Sequence, residues 1–361
     1  MKPDTGHDLS EAPEVPSTVR LRDQPSLRRK VVVRLLLLSV TLIALYVLWP
    51  GLLQVFSAWP RLSSINPGWF AVMLGAEVAS FVSMWALQRL ALRTSKWFGV
   101  ATSQLSANAL SRIVPGGAAA GAALQYRMLG QAGISAATAA SGLTATSLIG
   151  TATLLALPLL AIPTILAGRP VPRGLAQSAW MGAFVFVLLV AAGTILLTMD
   201  RPILSLGRAL QAIRNRVERR SPPRMDLPER LEHERDAIRE TLGASWWKAI
   251  LFAAGNSLFD YLALLAALTA VGSRPRPTLV LLAYVAAMVL GMIPITPGGL
   301  GFVEAGLTAT LALAGVSAVD AVLATLAYRL VSYWLPLMLG PFAYLMHRRR
   351  YGRRVETAAT G

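Results

Sequence analysis

The sequence predicts an all-α integral membrane protein of about six full spans plus two re-entrant or broken helical hairpins that together form an inverted repeat. Three observations predict it. Hydrophobic residues make up 55% of the 361 positions against 14% charged, and the mean hydropathy of +0.55 is too high for one soluble core to absorb. Apolar stretches long enough to cross about 30 Å of hydrocarbon at roughly 1.5 Å per residue recur along the chain. A Pro-Gly-Gly break occurs twice, in matching surroundings.

The full spans are expected near 31–53, 67–92, 134–166, 178–199, 246–270 and 317–346. Residues 1–27 mix Pro, Ser, Glu and Arg and are expected to form a disordered cytoplasmic tail. The run from Val31 is too long for a signal-peptide core and reads as a retained helix. The transmembrane domain then covers 28–346, with a mixed-charge helical loop at 200–245 and a basic cytoplasmic tail at 347–361. That loop reads either as a site for anionic lipid headgroups or as a solvated connector held by i,i+4 pairs.

Positive residues set the orientation, because cytoplasmic flanks retain them. Arg28, Arg29 and Lys30 precede the first span, Arg89, Arg93 and Lys96 follow the second, and Arg348, Arg349, Arg350, Arg353 and Arg354 close the chain. With the 200–248 cluster, all fall on one face, so both termini are expected in the cytoplasm of a plasma-membrane protein. Trp49, Trp59, Trp69, Trp97, Trp246 and Trp247 sit near the proposed edges as interfacial anchors.

Two further stretches, about 97–130 and 278–314, are interrupted by Pro115-Gly116-Gly117 and Pro297-Gly298-Gly299. Proline removes a backbone donor and glycine tolerates positive φ, so each stretch is expected to enter the membrane and turn back. Eighteen residues after each proline a second block repeats, Gly133-Ile134-Ser135-Ala136 against Gly315-Val316-Ser317-Ala318. The preceding spans also align, Trp69 and Ala71 against Trp247 and Ala249, giving repeat A at 67–166 and repeat B at 246–346. Three crossings separate the two starts, so the second unit is expected upside down. Such repeats place a binding site at their interface near the midplane. Helices restarting at Ala118 and near Leu300 would present bare N–H groups suited to a phosphate, although a packing kink is the alternative.

Glu77, Arg112, Asp260, Glu304 and Arg329 fall within apolar segments, where an unpaired charge costs about 3 kcal/mol. Arg112, Arg127 and Arg329 are candidates to hold an anionic headgroup, and Glu304 to pair with one of them or carry a proton. The alternative is structural ion pairing, Glu304 with Arg329 and Glu77 with an arginine. The candidate substrate-binding set is therefore Arg112, Pro115, Gly116, Gly117, Arg127, Thr296, Pro297, Gly298, Gly299, Gly301, Glu304 and Arg329.

Several function classes are disfavoured. The formal charge of +16 lies mainly between apolar runs without interleaved aromatics, so nucleic acid is not an expected partner. The chain has no cysteine, and His7, His233 and His347 lack metal-ligand spacing and read as solvated surface residues. No cofactor and no metal is expected, and no nucleotide motif appears.

The run Ile293-Pro294-Ile295-Thr296-Pro297-Gly298-Gly299-Leu300-Gly301-Phe302-Val303-Glu304-Ala305 resembles the flippase-like transmembrane family of lysylphosphatidylglycerol synthases. Tyr328-Arg329-Leu330-Val331-Ser332-Tyr333-Trp334-Leu335-Pro336, with Gly340, resembles that family's final helix, and the likeness covers roughly 60–345. In that family the membrane half is implicated in moving aminoacylated phospholipid between leaflets, while a separate soluble domain makes the lipid. The resemblance implies a stand-alone membrane unit here, with other such members associated with polyprenyl-linked sugars. The expected function is a lipid transporter of flippase or scramblase type acting on an anionic, aminoacylated or polyprenyl-linked lipid, and not an enzyme. Alternatives are a secondary transporter of a small solute, a membrane-embedded lipid transferase, or an accessory subunit of a lipid synthase.

Overall fold

The computed structural model describes residues 53, 60, 65–114, 117–163, 171–198, 236, 245–292 and 297–358. Contacts divide the chain into Met1–Ile43 and Ala44–Gly361, and every described residue belongs to the second part. The expected tail at 1–27, nearly all of the first span and nearly all of the 200–245 loop lie outside the described residues, as do Pro115, Gly116 and Thr296.

The described residues are helical throughout their regular structure. Helix α1, Pro67–Ala91, starts where Asn66 accepts a hydrogen bond from the Gly68 N–H at 2.8 Å and Pro67 supplies the preset φ of a first turn. Then come α2, Trp97–Ile113, and α3, Gly117–Gln131, followed by α4, Ala136–Ala156, which a 3-10 turn Leu157–Ala161 prolongs. Pro158 cannot donate to the carbonyl one turn back, which accounts for the tightened winding there. Helices α5, Arg173–Thr198, α6, Trp246–Ala270, α7, Pro277–Gly291, and α8, Phe302–Leu313, follow. The last element is continuous: α9, Ala318–Arg329, a π turn Leu330–Trp334, and α10, Leu335–Ala358.

Five of these are long and apolar enough to cross a membrane: Pro67–Ala91, Ala136–Ala161, Arg173–Ala192, Trp246–Ala270 and Ala318–Gly352. The chain is thus an all-α, multi-pass membrane protein. Its outer faces carry the apolar side chains a bilayer would cover, among them Met181, Phe184 and Leu188 of α5 and Met338, Phe342 and Leu345 of α10. The main core sits among α6, α7, α8 and α9, where Ala267, Ala283, Ala287, Ala321, Ala324 and Ala327 let helix backbones approach closely.

The two interrupted stretches are hairpins, α2 lying along α3 and α7 along α8. Each leads into the next span through the same turn, which explains the repeated Gly-x-Ser block. Gly133 and Gly315 take φ of 77° and 90°, and the following Ile134 and Val316 donate back to Leu129 and Leu311 at 3.1 Å. Ser135 and Ser317 then cap the next helix by accepting from the Thr138 and Asp320 N–H groups. This is a Schellman turn joined to an N-cap, and only glycine reaches its left-handed residue without strain.

One sequence expectation is corrected. His347, read as a solvated residue of a basic tail, is buried, with Nδ1 2.7 Å from the Thr102 hydroxyl and Nε2 3.0 Å from the Met128 carbonyl. The cause is helix length: α10 continues past 346 as a helix to Ala358 and its later turns pack on α2 and α3. Gly340 makes that approach possible, because a Cβ there would lie 2.1 Å from the Ala109 Cβ. His7 and His233 lie outside the described residues.

Candidate functional site

The two hairpin tips meet. At the first, Val114 is extended, as the residue before a proline is biased to be, and α3 restarts at Gly117 against the end of α2. A Cβ on Gly117 would lie 2.1 Å from the Ser111 carbonyl oxygen, and one on Gly121 would lie 2.6 Å from that of Ala107. The pair forms a Gly-x-x-x-Gly stripe that presses the hairpin arms together. At the second tip Gly298 adopts φ 62° and ψ 12°, and a Cβ there would lie 2.5 Å from the Tyr333 hydroxyl and 2.9 Å from the Arg112 carbonyl. Ala109, Ile113, Leu300, Tyr333, Trp334 and Leu337 pack around this junction.

Arg112 is held at the same point. Pro336 has no N–H to offer the Ser332 carbonyl one turn back, and the π turn displaces its neighbours from ordinary helical register. Arg112 Nη1 donates to the carbonyls of Ser332 at 3.1 Å and Tyr333 at 2.5 Å. The Tyr333 ring is flanked by two guanidinium groups, Arg112 at 4.7 Å and Arg329 at 4.2 Å.

Glu304 and Arg329 form an ion pair, Arg329 Nε donating to Glu304 Oε1 at 2.7 Å with both side chains about nine-tenths buried. It is a single contact, so Glu304 Oε2 and Arg329 Nη2 remain buried without hydrogen-bond partners. Glu304 also stands in the first turn of α8, where a carboxylate offsets the positive helix end. The first turn of α3 carries no acid. Arg127 is exposed on α3, away from this junction.

A second polar cluster joins the first helices of the two repeats, α1 and α6, the most extensive helix pair among the described residues. Ser80 Oγ donates to the Asn256 carbonyl at 2.9 Å, and Asn256 Nδ2 donates to Ser80 Oγ at 2.7 Å. One turn further, Asp260 accepts from the Tyr284 hydroxyl at 2.7 Å and the Tyr328 hydroxyl at 2.8 Å. Glu77, 6% exposed, lies beside Asp260, one turn from Ser80 on α1 as Asp260 is one turn from Asn256 on α6.

Between these elements lies a cavity of about 530 Å³, lined from both repeats. Its polar wall is built of amides and hydroxyls, including Gln88, Gln125, Asn108, Asn256 and Tyr284, of the Asp260 carboxyl group, and of the open helix end at Ala118. Gln125 Nε2 donates to Gln88 Oε1 at 3.0 Å across it. A second cavity of about 1040 Å³ runs between α8 and α9 and includes Gly301, Glu304 and Thr308. Among the described residues no group of His, Asp and Glu side chains has metal-binding geometry.

The candidates drawn from the sequence are therefore divided. Arg112, Gly298 and Arg329 converge on Tyr333, Gly117 and Gly299 shape the tips, Gly301 and Glu304 line the second cavity, and Pro297 begins the second tip. The amides of the first cavity escaped sequence reading because single polar residues spaced through apolar helices barely alter hydropathy. The i,i+4 spacing of Asn256 and Asp260 was the available signal.

No solved structure matches the chain. A stretch of 78 residues is 36% identical to UPF0104 membrane protein PH1989 of Pyrococcus horikoshii, spanning 22% of this chain and 23% of that protein. The lysylphosphatidylglycerol synthase TM region family matches residues 36–340, which contain both hairpins, the ion pair and both cavities. The chain belongs to that family.

Proposed function

We propose that the protein moves a lipid between the leaflets of the plasma membrane, its headgroup passing through the 530 Å³ cavity while the acyl chains stay in the bilayer. The observation that carries this reading is the cavity wall: amide and hydroxyl side chains and the Asp260 carboxyl group, from both repeats, converge inside a bundle whose outer faces are apolar. A lining of this kind replaces water around a polar headgroup, which lowers the cost of carrying it across hydrocarbon. The helix end at Ala118, with no acid in its first turn, suits a phosphate. Membership of the lysylphosphatidylglycerol synthase TM region family supports a lipid-related reading. The substrate class is an anionic or aminoacylated phospholipid or a polyprenyl-linked lipid. The charge distribution supports cytoplasmic termini and the upside-down arrangement of the second repeat.

Reconstitution tests it. In liposomes carrying fluorescent phospholipids in both leaflets, purified protein is expected to expose the inner-leaflet label to an external quencher faster than in protein-free liposomes. Identical kinetics with and without protein, across phosphatidylglycerol, its lysyl ester and a polyprenyl phosphate, would overturn the proposal.

A further inference from the structure

The Asp260 carboxylate has a donor on each oxygen: Tyr284 serves Oδ2 and Tyr328 serves Oδ1. Both tyrosines donate, so the arrangement suits an ionised, acceptor-only group. Glu77 differs. It is 6% exposed, and its Oε2 is buried with no hydrogen-bond partner. An ionised Glu77 would set a bare negative oxygen beside a second negative carboxylate inside the membrane region, which low dielectric strongly opposes. A proton removes the conflict, because a carboxylic acid O–H can donate to its neighbour while one negative charge stays with Asp260.

We infer that Glu77 and Asp260 form a proton-binding site in which one exchangeable proton is shared between the two carboxyl groups and reaches water through the cavity. The charges around the site agree with one proton. Of the elements packed on α1, α2 presents Arg112, whose single positive charge matches the single negative charge of the protonated pair. On the α6 side α7 presents Tyr284 and α9 presents Tyr328, while of the other elements on α1 the π turn carries Tyr333 and α4 contains no titratable residue. Arg329 lies beyond Arg112, already paired with Glu304.

The exit path is direct. Asp260 and Tyr284 line the 530 Å³ cavity. The proton leaves Glu77 for an Asp260 oxygen and passes from there to water; no other reactant is consumed. After release two carboxylates face Arg112, a state that favours rebinding. The site stands between α1 and α6, the first helices of the two repeats, so a shift of one repeat against the other would alter the contact on which sharing depends. Coupling to lipid movement rests on the proposed function; the proton site does not.

Infrared spectroscopy of the full-length protein in detergent reads the site without any lipid substrate. A protonated carboxylic acid absorbs at higher frequency than an ionised one, in a region free of amide bands. At neutral pH such a band is expected in the native protein, shifted by 13C-labelled glutamate, lost in Glu77→Gln and displaced in Asp260→Asn. Should Glu77→Gln fail to fold, displacement of the glutamate-labelled band in Asp260→Asn decides, because it identifies the carboxylic acid that lies beside Asp260. Absence of the band at neutral pH, its indifference to labelled glutamate, or its persistence in folded Glu77→Gln would overturn the inference. Liposome assays separate coupling: an inward pH gradient is expected to change the rate of lipid exposure in the native protein and leave it unchanged in Glu77→Gln. A retained band together with lipid exposure at the protein-free rate supports the proton site and removes the transport reading.

Discussion

The two repeats share a backbone plan but fill the same place differently. With Pro115 aligned on Pro297 and Gly133 on Gly315, Glu304 falls on Ala122 and Arg329 on Ser147. In the second repeat those positions hold a buried ion pair. In the first they hold small residues that line the 530 Å³ cavity. The ion pair pins α8 to α9 in one half, beside the 1040 Å³ cavity, whereas small side chains at the same positions line the 530 Å³ cavity of the other. Two repeats of one backbone plan therefore need not have equivalent sites: one half is pinned by a charge pair while its counterpart is lined by small residues.

The largest effect expected from this contrast is on the pinned half. Arg329→Met leaves Glu304 buried without its partner and is expected to cost about 3–5 kcal/mol, read as a lowered midpoint of unfolding in detergent. The double variant Glu304→Leu with Arg329→Met is expected to regain most of that loss. If the single variant is as stable as the native protein, the pair does not pin the second repeat.

The tips give the next effect. Gly117→Ala drives a Cβ into the Ser111 carbonyl and is expected to cost about 1–3 kcal/mol, with loss of the hairpin contact. Gly301 has open space at its Cβ but φ of 77°, so Gly301→Ala is expected to cost only about 1–2 kcal/mol, from backbone strain. Unfolding midpoints compare the two. Equal losses would mean that close approach does not distinguish the tips.

The half lined by small residues gives the smallest effect in free energy. Ala122→Leu projects into the cavity and is expected to slow lipid exposure in liposomes about tenfold, equivalent to about 1.4 kcal/mol, while the unfolding midpoint stays near native. An unaltered rate would locate the path elsewhere, the groove between α8 and α9 being the next place to test.

Much of the architecture was legible in the sequence because lipid imposes strong rules. Length and hydropathy located the five spans among the described residues, and the Pro-Gly-Gly breaks located both hairpins, since proline and glycine act on the backbone irrespective of tertiary context. The repeated Gly-x-Ser block was legible for the same reason. Side-chain partners were less so. Arg112 reads in sequence as a free cation for a headgroup, yet its donors serve carbonyls freed near Pro336, more than 200 residues away. Arg127 has the same residue type and lies exposed, because its position on α3 and not its charge decides its environment. His347 looked solvated beside Arg348, Arg349 and Arg350, and only the packing of α10 on α2 and α3 shows its burial. The meeting of Glu77 with Asp260 depends on how α1 sits against α6, which no local pattern encodes.

The Arg112 contact also bears on how such a chain matures. A backbone defect created late in translation, at the π turn, is completed by a guanidinium made far earlier, at the end of α2. Until the last helices are synthesised Arg112 lacks those acceptors, and until Arg112 is in place the last helices lack that donor. The second repeat completes its backbone with a side chain of the first, which binds the two into a single folding unit.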